Sequence, residues 1–289
     1  MSAEWIRPRT LQEALAIRSA RHVRPLAGAT DLYVRYRGIA GTLPALSEAV
    51  MYIGHLNELT AISVHEHQLR IGAAAVYTDV AAHPATPGIL KNAIAELGAP
   101  ALRNVGTLGG NIGNASPAAD AVCTLYALDA QVELASLGGA RRVPIDAVIT
   151  GPGQTAIAED ELITAILVPL GYDSFSFYRK VGTRRANALS KLAFAACGEV
   201  EDYTLGNLGV AIAAVGPTVI RSRELEERMR GADGRKIANL RNELIAGYLA
   251  LVAPISDQRS TAQYRRWVTE NLLIEFLDRC LPSNLNGPQ

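Results

Sequence analysis

The run that most restricts what this chain can fold into is residues 104 to 120, NVGTLGGNIGNASPAAD, with four glycines, three asparagines and almost no bulk. Each glycine inside a regular element costs roughly 0.5–1 kcal/mol against alanine, so glycine at this density marks backbone that must turn sharply or come close to something. Gly106, Gly109, Gly110 and Gly113 are spaced GxxGGxxG, which is not the GxGxxG of a Rossmann turn, and no GxxxxGK[ST] run occurs in the chain. A conventional nucleotide fold is therefore disfavoured. The composition predicts a nest of consecutive N–H donors at positive φ around an anion. Thr107, Asn111, Asn114 and Ser116 add side-chain donors, and Asp120, at the start of the next helix, offers a carboxylate to hydroxyls such as those of ribose. The competing reading is a mobile loop capped by Ser116-Pro117 and Asp120.

A second stretch, Leu26-Ala-Gly-Ala-Thr-Asp-Leu-Tyr33, is a small-residue turn from a strand into a helix. N–H groups at a helix start point outward and favour a phosphate. Gly28 permits a tight turn, Thr30 adds a hydroxyl and Asp31 is placed to cap the helix. An ordinary capped strand-to-helix turn explains the same residues. Two such loops from different parts of one domain suit a dinucleotide, which has two phosphates and two ends.

The rest of the chain limits the function classes. With 28 basic and 28 acidic residues and no basic tract, it is a poor candidate for binding nucleic acid or a membrane surface. The near-zero net charge carries a solubility risk that burial in a permanent complex would relieve. Hydrophobic residues make up 49% of 289, ample for two domains. Cys123, Cys197 and Cys280 lie too far apart in sequence for a zinc or iron–sulfur motif and point to a reducing compartment. No apolar leader or run of 18 apolar residues occurs, which predicts a soluble, cytoplasmic protein.

Thr10-Leu-Gln-Glu13 reads as a capping box opening a helix to Ala20. Hairpins are predicted around His65–His67 and Leu137–Ala140, a helix at GILKNAIAELG ending on Gly98, a helix at Asp120–Ala130, and strands at ELITAILVPL and SFSFYRKVG. From about residue 170 strands give way to helices, including 236–252 and 261–280, as in a sheet-on-helix or three-layer domain. His65 and His67 read as solvated, RELEERMRG as a solvated helical face, and Trp267 with Leu272, Leu273 and Phe276 as a core or interface stripe. Neither a catalytic triad nor a carboxylate pair stands out, so the chain offers no catalytic residue and no metal ligand set.

LAGATDLYVRYR followed by RNVGTLGGNIGNASPAADAV, with IGAAAVYTDV, GPGQTAIAEDELI and FYRKVGTRRANALSK, resembles the flavin-binding subunit of the molybdenum hydroxylases from about residue 4 to 280. The resemblance implies an α+β fold: a two-subdomain FAD-binding region of the vanillyl-alcohol-oxidase (PCMH) type over 1–170, with subdomains of about 1–57 and 58–170. A C-terminal α+β domain like that of carbon monoxide dehydrogenase flavoproteins follows over 171–281, then a frayed tail at 282–289. By resemblance, Leu26, Ala27, Gly28, Ala29, Thr30, Asp31, Leu32 and Tyr33 form one pyrophosphate loop, and Thr107, Leu108, Gly109, Gly110 and Asn111 the other, with Ser116 beside it. Asp120 falls on the ribose or adenine side, Leu97 and Ile163 line the flavin, Ile112 lies near its ring, and Lys180 sits near the flavin edge. Many relatives carry Gly-Gly where this chain has Gly28-Ala29, and alanine resists positive φ.

The resemblance further implies an electron-transfer role. FAD is the cofactor, and electrons arrive from [2Fe-2S] clusters of a partner subunit and leave to NAD or another acceptor. Hydroxylation belongs to a large subunit with a molybdenum cofactor, in a dimer of heterotrimers. The alternative is a standalone FAD-dependent oxidase acting directly on an organic substrate, which needs an acid or base over the flavin. The similarity of GPGQTAIAEDELI to xanthine-dehydrogenase-type relatives tilts the substrate of the complex toward purines.

Overall fold

The computed structural model describes residues 4–37, 46–171 and 174–280. Along the first part of the chain run β1 (Trp5–Ile6), α1 (Leu11–Ala20), β2 (Arg24–Leu26), α2 (Thr30–Arg35), β3 (Val50–Tyr52), α3 (Asn57–Thr60), β4 (Ile62–His65) and β5 (Gln68–Gly72). Then come α4 (Tyr77–Ala82), α5 (Gly88–Ala95), α6 (Pro100–Arg103), α7 (Leu108–Asn114) and α8 (Asp120–Ala127). The middle holds β6 (Gln131–Ser136), β7 (Gly139–Pro144), α9 (Ile145–Val148), β8 (Ile149–Gly151), β9 (Gln154–Thr155) and β10 (Leu162–Pro169). Four strands, β11 (Phe175–Val181), β12 (Leu192–Glu201), β13 (Thr204–Ala213) and β14 (Ile220–Arg221), precede α10 (Arg223–Met229), α11 (Gly234–Leu251) and α12 (Ala262–Arg279). The frayed tail expected at 282–289 lies outside the described residues.

These elements gather into two compact units. The first takes residues within 1–86, 99–116 and 130–168. It holds a parallel three-stranded sheet ordered β1-β3-β2, a five-stranded sheet ordered β4-β5-β10-β6-β7, and the small β8-β9 hairpin. Helix α1 starts where the capping box places it. The Thr10 hydroxyl accepts from the Glu13 N–H at 3.1 Å, while the Glu13 carboxylate reaches back to the Arg9 N–H at 2.7 Å. Its buried Ala14 and Leu15 join Val23, Met51, Leu56 and Leu59 in one core.

The second unit is not continuous in sequence: residues 87–98 and 117–129, carrying α5 and α8, join the described residues from 169 to 280. Its sheet is antiparallel, ordered β11-β12-β13-β14. Side-chain size separates the two faces of that sheet. Gly209, Ala211 and Ala213 alternate with Leu208, Val210 and Ile212 along β13, and Ala193 and Ala195 flank Phe194 on β12. The small face admits α8 so closely that a Cβ on Gly209 would lie 2.0 Å from the Ala127 carbonyl oxygen. The large face packs on α11 and α12, where Phe177, Phe194 and Phe276 form an aromatic cluster with centroids 5.5–6.2 Å apart.

Of the stripe read as core or interface, Leu272, Leu273 and Phe276 are buried and Trp267 is 60% exposed. One expectation on this unit is corrected. Glu226 in α10 is not on a solvated face: it is buried against Arg221, which also pairs with Asp129. Arg223, Glu224 and Glu227 of that helix are exposed, Glu227 pairing with Arg230 just beyond its end.

Candidate functional site

Residues 26–33 and the glycine-bearing part of the second segment, residues 104–116, belong to the first unit, but their backbones differ from what composition predicts. At the first, β2 delivers Leu26 into a small cluster with Leu46 and Val50. Gly28 is required by proximity, since a Cβ there would lie 2.0 Å from the Val105 carbonyl oxygen. The left-handed residue is Ala29, at φ 58° and ψ 7°. It starts α2 with no side-chain cap, so Asp31 does not cap the helix. The N–H groups of Gly28, Ala29 and Thr30 make no hydrogen bond to any described residue. This loop, whose ordinary-turn reading was a strong competitor, presents the open donors.

The second segment is largely a helix. Gly109, Gly110 and Gly113 lie within α7, and neither they nor Gly106 adopt positive φ. Thr107 caps the helix, accepting from the Gly110 N–H at 3.1 Å. The Gly109 N–H goes to the Ala73 carbonyl at 3.0 Å and that of Asn111 to the Thr107 carbonyl at 3.1 Å. The expected nest of exposed N–H groups is therefore absent here, because helix formation and the Thr107 cap consume those donors. Glycine serves close packing instead: a Cβ on Gly109 would lie 2.5 Å from the Ala73 carbonyl oxygen. The segment still offers polar side chains. The Asn111 Oδ1 is buried with no hydrogen-bond partner, and the Asn114 amide donates to Asp31 at 3.1 Å.

The two segments wall a cavity of about 310 Å³, at the small end for ligand sites. Leu26 to Leu32, Thr107, Gly109, Gly110, Asn111, Gly113, Asn114 and Ile163 all line it. Of the other residues expected at the site, Leu108 and Ile112 are fully buried in the protein interior, Tyr33 is 42% exposed, and Tyr33 and Ser116 are not among the lining residues. Alternation along α7 explains the buried pair, since a helix turns successive residues to different faces.

The cavity wall carries charges that glycine patterns did not reveal. Arg18, Arg24, Arg35 and Glu161 line it beside Asp31. Arg24 pairs with Glu48, and Arg18 donates to the carbonyls of Val23 and Glu161. Hydrogen bonds from Arg141, at 2.6 and 2.8 Å, are the main reason the Glu161 carboxyl is held below its usual range. Asp31 opens to the cavity, yet the surrounding protein strips solvent from it and raises its carboxyl, opposed only by the Asn114 amide. Arg18 and Glu161 lie in a helix and a strand-flanking turn with no local motif, so only tertiary contact identifies them.

Leu97, Asp120 and Lys180 belong to the second unit and do not line this cavity. There the Lys180 ammonium lies 2.8 Å from an Asp120 oxygen and 2.8 Å from the Glu96 carbonyl oxygen, and the Ser190 hydroxyl donates to the other Asp120 oxygen. The pair is 6% and 8% exposed, so the exposed-lysine alternative for Lys180 is excluded. Tyr178, two residues along the same strand face, has a buried hydroxyl without a partner, and burial together with Asp120 pushes its phenol well above the ordinary value. Among the described residues, no group of three or more His, Cys, Asp or Glu is arranged to hold a metal ion, and no helix is long and apolar enough to cross a membrane.

Comparison with known proteins gives matches over nearly the whole chain. Residues 1–171 match the family described as the FAD binding domain in molybdopterin dehydrogenase, and residues 177–280 match the CO dehydrogenase flavoprotein C-terminal domain. The putative xanthine dehydrogenase FAD-binding subunit XdhB of Escherichia coli is 30% identical over 279 residues, covering 91% of this chain and 90% of that one. The glyceraldehyde dehydrogenase medium chain of Sulfolobus acidocaldarius is 29% identical over 277 residues, covering 94% and 95%. Among solved structures, a chain of the reconstituted CO dehydrogenase from Oligotropha carboxidovorans superposes with a TM-score of 0.86 at 24% identity, covering 97% of this chain and 98% of that one, a likeness of fold.

Proposed function

This chain belongs to the family of FAD-binding subunits of molybdenum hydroxylase-type dehydrogenases, and on that premise we propose that it is the electron-transfer subunit of a multi-subunit enzyme, with FAD seated in the first unit's cavity. It is an oxidoreductase flavoprotein subunit, built from an FAD-binding domain and a CO dehydrogenase flavoprotein C-terminal domain. The observation that carries the placement is the cavity wall itself: Gly28, Ala29 and Thr30, whose N–H groups are open, line the same space as Asn111, whose buried Oδ1 is unpartnered.

The residues present fit a dinucleotide. Backbone donors of the first loop suit a diphosphate, because N–H groups held rigid before binding lose little freedom on meeting an anion. Asn111 offers an acceptor to a hydroxyl or ring N–H, and Ile163 and Leu162 add apolar wall. Glycine at 28 and 109 lets the two segments approach without side chains filling the space. Bound FAD supplies the redox chemistry, accepting electrons singly and releasing them in pairs. The chain's own part is to hold the cofactor, exclude water from it and set the charge around it. On this reading Asp120 and Lys180 act as a buried, charge-compensated pair.

Electrons reach the cofactor from [2Fe-2S] clusters of a partner subunit and pass to NAD or another acceptor, while the substrate is hydroxylated at a molybdenum cofactor in a large subunit. A dimer of such heterotrimers in the cytoplasm is the assembly this reading favours. Purification of the full chain tests the core of it: flavin absorbance, with FAD released on denaturation, is the expected result. A colourless protein that cannot be reconstituted with FAD would remove the reading. Gly110→Val brings methyl groups against the Thr107 hydroxyl, which a Cβ alone already approaches to 2.9 Å, and should abolish FAD retention. Unchanged flavin content would overturn the placement. Co-purification with a cysteine-rich subunit and a molybdenum subunit tests the partners.

A further inference from the structure

Resting on the FAD reading above, we propose that Arg35 is a diphosphate-contacting residue, supplying the full positive charge that the glycine-rich segments do not. Three arginines line the cavity. Arg24 is neutralised by Glu48, and Arg18 is tied to two backbone carbonyls. Arg35 has no hydrogen-bond or ion-pair partner among the described residues. It is a cavity-lining cation whose donors are uncommitted to any described residue.

Its position on α2 aims those donors usefully. Arg35 follows Asp31 by four residues, so the two share a helix face, and helical side chains lean toward the N-terminus. Gly28, Ala29 and Thr30, with their open N–H groups, precede Arg35 on this segment and line the same cavity. The far end of the guanidinium is also located: Nη2 lies 3.6 Å from where a Cβ on Gly153 would be, beside another wall of the same cavity. Gly153 is itself left-handed, at φ 68°, and its N–H is fixed by the Ala115 carbonyl at 2.9 Å.

Charge balance favours the contact. A diphosphate brings about two negative charges into a space where Asp31 is a further carboxylate. The N–H groups of Gly109, Gly110 and Asn111 are consumed within the protein and cannot answer it. A planar guanidinium offers paired N–H donors that match two phosphate oxygens, which a point charge does not.

The test uses the full chain stripped of flavin, with FAD, riboflavin and ADP as probes, binding followed by flavin fluorescence or calorimetry. Arg35 is exposed, so Arg35→Gln and Arg35→Lys leave the fold intact. Arg35→Gln should weaken FAD and ADP about tenfold each, the scale of one partly solvated charge-assisted contact. Riboflavin, which lacks phosphate, should change by no more than about twofold, and Arg35→Lys should recover part of the loss. FAD affinity unchanged in Arg35→Gln, or riboflavin weakened as much as FAD, overturns the contact. Wild-type chain that binds no FAD removes the FAD reading itself and this contact with it; wild-type binding with an unaffected variant removes only the contact.

Discussion

Gly28→Ala puts the close approach of the two cavity segments to the test. The new Cβ would lie 2.0 Å from the Val105 carbonyl oxygen, 2.7 Å from its carbon and 3.0 Å from the Gly106 Cα. Carbon–oxygen contacts settle at about 3.3–3.6 Å, so the two stretches of backbone must part by roughly 1.3 Å or more. No side chain can rotate away, because every atom met is main chain. Overpacking costs about 1–3 kcal/mol, and a backbone-on-backbone clash belongs at the upper end. With about 2–4 °C of melting temperature per kcal/mol in a domain of this size, a drop of about 6–12 °C is expected. Because Val105 and Gly106 lead directly into the Thr107 cap, the displacement also separates the cavity walls, and FAD affinity should fall at least about tenfold. Gly113→Ala is the matched control: its Cβ would meet only the Ile163 Cδ1, at 3.8 Å, and alanine in a helix gains about 0.5–1 kcal/mol over glycine. Thermal melting of both flavin-free variants and FAD titration decide the matter. Gly28→Ala melting within about 2 °C of wild type would refute the close approach.

Three further outcomes follow from single sites. Ala29→Gly relieves about 1 kcal/mol of left-handed strain but restores about 0.4–1 kcal/mol of unfolded-chain entropy, so the urea midpoint should rise slightly with the m-value unchanged; a clear loss of stability would contradict a left-handed Ala29. Asp120→Asn and Lys180→Met should each cost about 3 kcal/mol by stranding a buried charge, whereas the double variant should cost well under their sum; strictly additive losses would show that the pair is not coupled. Asp31 has a raised carboxyl in the folded chain, so the folded form binds its proton more tightly than the unfolded form does. Its contribution to stability is then greatest below the ordinary carboxylate range and is lost as pH rises through the window just above it. The urea midpoint at about pH 7, relative to that at about pH 4, should therefore be higher in Asp31→Asn than in wild type, and an unchanged difference would argue against a raised Asp31 carboxyl.

Local chemistry made much of the secondary structure legible. The Thr10–Glu13 box acts within one turn of helix, and the alternation of small and large residues along β12 and β13 reports two faces buried against different partners. The hairpin between β4 and β5 turns at Glu66, as the alternation around His65 and His67 indicates, and both histidines are exposed. The glycine-rich run was misleading for a physical reason. Glycine density signals either positive φ or close approach, and composition does not distinguish them. Here the run became α7 because Thr107 caps it and Ala73 takes one of its first N–H groups, a contact made 36 positions away in sequence.

The sequence by itself determined that two small-residue segments exist, that one follows a strand and opens a helix, and that no cysteine cluster accompanies them. Those properties depend on neighbours within a few residues. The tertiary structure decided which segment keeps its backbone donors open, which cavity-lining arginine has no partner among the described residues, and that Asp120 is committed to Lys180 sixty residues away. Each of these depends on whether a group's hydrogen bonds and charge are already satisfied by something distant in the chain, and satisfaction is settled only when the chain is packed.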